Sequence, residues 1–201
     1  MTTDRIREDV ISMADKVREM VALITEAFME NTLEKLAAAM KIEEKLNEAE
    51  KSLTTAILDS AKAPEADARA KKTLVALEEA VETLERMGDE IASLAERIEI
   101  KVSERLLFSD TGVEQFNETY GAMKNSVEMM CQFLRSPNPA LRERVVDNGF
   151  HVKAFVERYR KEHADRLMRG LCTPMAANMY FDMLDFTGNL ARHSSNIVKL
   201  F

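Results

Sequence analysis

"ETLERMGDEIASLAERI", residues 82–98, decides how the rest of the chain is read. Its apolar residues Leu84, Met87, Ile91, Leu94 and Ile98 recur every three or four positions, which marks one face of an α-helix. Gly88 sits inside that pattern although glycine costs about 1 kcal/mol against alanine in a helix interior. One turn separates Glu85 from Asp89, so both carboxylates share a face. Three readings fit: a metal site, an ion-pair face open to water, or a close helix crossing at Gly88.

The helical period extends outward in both directions. Upstream, Ile6, Val10, Met13, Val17, Met20, Ile24 and Phe28 form a first helix, with Thr2 or Thr3 as its cap. Asn31, followed by Glu34, has the form of a capping box for a second helix over 32–61. Pro64 stops that helix and sits where a first-turn proline is tolerated, so a third helix is predicted over 65–106. "FSDTGVEQ" breaks the pattern before a fourth helix over 112–135. "RSPNPALR" is a turn that places Pro139 at the start of a fifth helix, 140–169, closed by Gly170. Thr173 and Pro174 then open a sixth helix that reaches Phe201. No segment alternates as a strand would.

Composition agrees with this reading. The 201 residues are 46% hydrophobic and 31% charged, with only 6 Gly, 4 Pro and no Trp, so a few long elements are expected. Residues 1–110 carry 16 Lys/Arg against 25 Asp/Glu, whereas 111–201 carry 12 against 10, so all of the excess acid lies in the first half. An acidic half argues against nucleic acid as the main partner, because phosphate backbones need basic surfaces. Cys131 and Cys172 have no zinc or CxxC spacing and read as two buried free thiols. No apolar run approaches the roughly 18 residues of a membrane span. The N-terminus has no apolar signal core, and a cytoplasmic location is expected.

Three helices, a break and three more suggest an internal repeat, 1–108 and 109–201. Laying "LERMGDEIASLA" over "GNLARHSSNIV" at an offset of 103 sets Glu85 against Gly188 and Asp89 against Arg192. Laying "KIEEKLN" over "VVDNGFH" at an offset of 104 sets Glu43 against Asp147 and Asn47 against His151. The fold expected is all-α, six long helices as two tandem three-helix bundles.

"TLERMGDEIASLAE" resembles the signature that closes each three-helix unit of PhoU-like proteins. "EHADRLMRGLCTP" (Glu162, His163, Arg166, Leu167, Gly170, Cys172, Pro174) with Asp182 and Leu184 is similar to the pattern of one branch. In that branch a PhoU-like domain forms the cytoplasmic tail of bacterial sodium/phosphate cotransporters. The resemblance implies a non-enzymatic regulator of phosphate uptake or signalling. Its expected partner is a membrane phosphate transporter or a phosphate-signalling protein at the inner face of the membrane, and a homodimer is also expected.

Some members of the family carry a metal on paired acidic motifs. Carried over, this implies a divalent or iron-type ion in the first repeat on Glu43, Asn47, Glu85 and Asp89, oxygen donors suited to hard or borderline cations. The second repeat holds Asp147, His151, Gly188 and Arg192, a degenerate site in which Arg192 is expected to pair with Asp147. Two alternatives stand beside the regulator. One is a carboxylate-bridged metal enzyme, although no Glu-x-x-His occurs at His151, His163 or His193. The other is a generic dimerisation or sensor module. The 13 methionines read mainly as core filling, with an adaptable partner face as the alternative.

Overall fold

The computed structural model describes residues 2–63 and 67–201. Six α-helices follow one another: α1 (Thr3–Glu30), α2 (Leu33–Lys62), α3 (Ala68–Ser103), α4 (Asp110–Arg135), α5 (Pro139–Met168) and α6 (Pro174–Lys199). Among the described residues there is no strand. The helix ends follow local chemistry. Thr2, Asp67, Ser109, Asn138 and Thr173 each accept a backbone N–H from the first turn of the helix they precede. Gly170 follows α5 at φ 71°, a left-handed turn that leaves α6 free to run back.

One expected cap does a different job. Asn31 closes α1 in the left-handed conformation, φ 52°, and its side-chain oxygen accepts from Lys101 Nζ on α3. Thr32 stands at the α2 N-cap without a side-chain hydrogen bond. A residue between two helices can serve either end, and asparagine tolerates positive φ better than most residues. Pro64 and the predicted start of the third helix at Glu65 lie outside the described residues; the described helix begins at Ala68 behind Asp67.

α1, α2 and α3 pack on one another, as do α4, α5 and α6, and the two sets meet where α1 lies on α4 and α3 on α6. A single buried apolar cluster runs through all six helices. Phe28 of α1 packs on Phe116 of α4, ring centroids 4.7 Å apart, and the buried Tyr120 hydroxyl donates to the Val21 carbonyl at 2.8 Å. The junction between α1 and α4 is thus built as core. Ion pairs rim it: Arg18 with Glu128 at 3.4 Å, and Arg135 with Asp15. Of the methionines singled out in the sequence, Met123, Met130, Met179 and Met183 are core, whereas Met175 is exposed.

Candidate functional site

Glu43 and Asn47 lie one turn apart on α2, and Glu85 and Asp89 one turn apart on the neighbouring α3. The Asn47 amide donates to Glu43 Oε1 at 2.6 Å, which engages one carboxylate oxygen of the four-residue set. Burial raises the Glu85 carboxyl above its ordinary value, and the charges of Asp89, Glu50 and Glu43 raise it further against the pull of Arg86. Glu50 therefore belongs to this face. The sequence signal for it was a spacing of seven from Glu43, two full turns on the same side of the helix. Among the described residues, no group of three or more His, Cys, Asp or Glu side chains is placed to hold a metal ion. Glu85 and Asp89 on α3 and Glu43 on α2 lie near enough for their charges to act on one another.

Gly88 has a packing role. A Cβ built on it would lie 3.1 Å from Leu46 Cδ1 on α2, so the missing side chain lets that leucine sit against the α3 backbone.

The pairing of Arg192 with Asp147 does not form. Asp147 and His151 are exposed on the side of α5 that faces α4, where they line a small cleft with Asn125 and Glu128. Arg192 is exposed on the α6 side and donates to Asn189 Oδ1 at 3.3 Å. The error was one residue of register. In the first half Gly88 faces Leu46, and in the second Gly149 lies against Ser195 and Ala191. Ala191 matches Gly88 at an offset of 103, and Gly149 matches Leu46 at the same offset. One offset therefore serves both helices, whereas 104 turns α5 by about 100° about its axis. At the correct register Glu43, Asn47 and Glu50 correspond to Val146, Phe150 and Lys153. Those three line a groove between α5 and α6, of about 710 Å³, together with Gly188 and Arg192.

The residues of "EHADRLMRGLC" come together at the α5–α6 turn. The His163 ring stacks on Tyr180 at 4.1 Å and meets the edge of Phe181 at 5.4 Å. Arg166 donates to His163 Nδ1 at 3.0 Å and to Gln115 Oε1 at 2.8 Å, while Cys172 Sγ lies 3.8 Å from His163 Nε2. Burial, then the Arg166 charge, push the imidazole down to about 4. It is neutral at pH 7, with Nδ1 as acceptor and the proton on Nε2. This network ties the end of α5 to the start of α6 and to α4. Cys172 is only half-buried, unlike the expected core thiol, because the turn around Gly170 is at the surface.

His193 is also buried and neutral, pushed down to about 4 by burial and by Arg192 and Arg86. It lies on the α3–α6 junction, where Asn189 donates to Glu90 Oε1 at 2.9 Å. Burial raises the Glu90 carboxyl, partly countered by that hydrogen bond and by Arg192. Sequence reading did not single out Glu90, since only α6 packed on α3 shows that it faces a polar pair.

The fold and its two non-equivalent faces define a double three-helix bundle. Residues 10–98 match the family model of the PhoU domain, which spans most of α1 to α3. Among curated proteins, none matches the chain at the level of sequence. Similarity to solved structures covers nearly the whole chain. PhoU from Pseudomonas aeruginosa superposes with a TM-score of 0.92 at 16% identity, over 98% of this chain and 93% of that one. The phosphate transport system regulatory protein PhoU from Streptococcus pneumoniae superposes with a TM-score of 0.87 at 13% identity, over 98% and 92%. The fold is that of PhoU.

Proposed function

We propose that this chain is a non-enzymatic, PhoU-like regulator of phosphate uptake or phosphate signalling, working through contact with a membrane phosphate transporter. The observation that carries the reading is the PhoU-domain match over residues 10–98. The like-folded protein from Streptococcus pneumoniae is itself named as regulating a phosphate transport system. Residues 1–108 and 109–201 are then two copies of one three-helix unit. The "EHADRLMRGLCTP" stretch supports a place among the cytoplasmic tails of sodium/phosphate cotransporters.

One end of the molecule offers an apolar surface suited to such a contact. α1 to α6 alternate in direction, which brings the α1–α2, α3–α4 and α5–α6 turns to the same end. Met29 and Leu33, Leu107, and Met168, Leu171 and Met175 are the large exposed apolar residues of those three turns. Apolar side chains gathered at one end of a monomer are characteristic of a binding surface. No helix among the described residues is long and apolar enough to cross a membrane.

The test is deletion of the gene with measurement of phosphate uptake and of a phosphate-responsive reporter. Altered uptake or reporter activity, restored by the wild-type chain but not by a Leu107→Asp/Met168→Asp/Leu171→Asp variant that folds normally, is expected. Unchanged uptake and unchanged reporter would overturn the reading and favour a dimerisation module of other purpose.

A further inference from the structure

The groove between α5 and α6 occupies, in the second half, the place of the acidic face in the first, with its charge turned over. Lys153 stands where Glu50 does and Arg192 where Asp89 does; Val146 and Phe150 replace Glu43 and Asn47. The two helices run antiparallel along it. Arg160 pairs with Asp185 at 2.6 Å near one end, and the Arg142 guanidinium donates to the Lys199 carbonyl at 3.4 Å near the other. Between them, the Gly149–Ser195 and Gly188–Val156 approaches bracket Lys153 and Arg192 at a common level.

The cations therefore stand in three tiers: Lys199, then Lys153 with Arg192, then Arg160. Lys153 precedes Arg160 by seven residues and Arg192 precedes Lys199 by seven, so the tiers are about 10 Å apart. Apolar floor separates them, with Phe150 64% exposed. Arg160 is matched by Asp185, but Lys153 has only Glu157 at 3.7 Å, both side chains well exposed. Such a pair contributes little and is easily exchanged. Among the described residues neither Lys199 nor Arg192 forms an ion pair and Lys153 forms only that exposed one, so positive charge is left over in the middle tier and at the Lys199 end.

We propose that this groove receives an amphipathic helix of a partner protein, one that carries carboxylates seven residues apart beside an apolar stripe. The inference rests on the partner-binding role proposed above and names the chemistry of the partner. Carboxylates two helical turns apart meet the tiers, while apolar residues between them cover Phe150 and Val146 in the helix-in-groove manner. Charge complementarity of this kind governs register and encounter rate. A compact anion such as a nucleotide would find the cations spread along the groove and separated by apolar side chains.

The probe is a fluorescent synthetic helix of about five turns with three glutamates at heptad spacing, titrated into the full chain at low and high salt. Saturable, salt-sensitive binding is expected. It weakens about tenfold or more in Lys153→Glu/Arg192→Glu, weakens also in Phe150→Ser, and is unchanged in Glu85→Gln/Asp89→Asn. All three groove positions are exposed, so circular dichroism should confirm intact folds. Absence of saturable binding would overturn the proposal. So would equal affinity for a lysine-substituted peptide, indifference to Lys153→Glu/Arg192→Glu, or displacement of the peptide by ATP or inorganic polyphosphate at lower concentration. Peptide binding without a phosphate phenotype would leave the groove standing and remove the phosphate-regulator reading; the reverse result would do the opposite.

Discussion

Gly149→Ala tests the register of α5 on α6 directly. A Cβ at this position would lie 2.4 Å from Ser195 Oγ, with the Ala191 carbonyl oxygen and Ser195 Cβ each at 3.6 Å. Only the hydroxyl can move. Ser195 Oγ now donates to the Ala191 carbonyl at 3.1 Å or the Val145 carbonyl at 3.3 Å, the latter reaching across to α5. Swinging it away removes a hydrogen bond of about 1 kcal/mol and leaves a buried hydroxyl poorly satisfied, at a further cost of about 1–2 kcal/mol. Helix propensity returns about 1 kcal/mol for glycine to alanine. The net expectation is a loss of about 1–2 kcal/mol in wild type. With Ser195→Ala in the background the obstruction is gone, and Gly149→Ala should stabilise by about 1 kcal/mol.

The sign of the effect thus reverses between backgrounds, with a coupling of about 2–3 kcal/mol, at the upper end for residues in contact. Urea unfolding of the four proteins, followed by far-UV circular dichroism, measures it. Stabilisation by Gly149→Ala in both backgrounds, or additivity within error, would refute the close approach and the offset of 103 that rests on it. Gly88→Ala is the contrasting case. Its obstruction is one terminal methyl of Leu46 at 3.1 Å, which can yield, so that variant should be neutral or slightly stabilising. Gly88→Leu has no such escape and should destabilise.

Three other outcomes follow from the site geometry. His163 is held down at about 4 against an ordinary value of 6.5, so it is neutral in both folded and unfolded states above pH 6.5. Below that the unfolded chain takes up the proton first, and stability falls between pH 6.5 and about 4; His163→Gln should show a shallower loss between pH 7 and 5 in urea melts. Glu85→Gln removes a carboxylate that burial and three neighbouring acids disfavour, so the melting temperature at pH 7 should rise slightly and be indifferent to EDTA. A fall, or a wild-type melting temperature lowered by EDTA, would restore a metal on Glu43, Asn47, Glu85 and Asp89. Burial pushes the Cys131 thiol up to about 12, and it donates to the Ala14 carbonyl at 3.4 Å. Native protein treated with iodoacetamide at pH 8 should label Cys172 and spare Cys131, by mass spectrometry; comparable labelling would mean that α4 does not pack on α1 as described.

The helices were legible because each announces itself over many residues. Leu84, Met87, Ile91 and Leu94 repeat one face often enough to override a local exception such as Gly88. Thr173–Pro174 and Asn138–Pro139 begin helices by local chemistry alone. Asn31 went the other way, since two helix ends compete for it and backbone conformation chose. The acidic face was legible to the extent that Glu85 and Asp89 share one helix, while Glu50 emerged only once α2 lay beside α3.

By itself, then, the sequence determined six helices, their order and the starts marked by Pro139 and Pro174, because those depend on neighbours within a turn or two. It also determined that acid gathers in the first half. It could not determine which face of α5 meets α6, because a slip of one residue changes the facing side by about 100° while leaving an amphipathic pattern nearly as good. Close packing decided that. Gly149 fits against Ser195 and Gly188 against Val156, and this turns Asp147 and His151 toward α4 and assembles Phe150, Lys153 and Arg192 into a groove. The contrast between the two halves, acid on one and cations around an apolar floor on the other, exists only once that register is fixed.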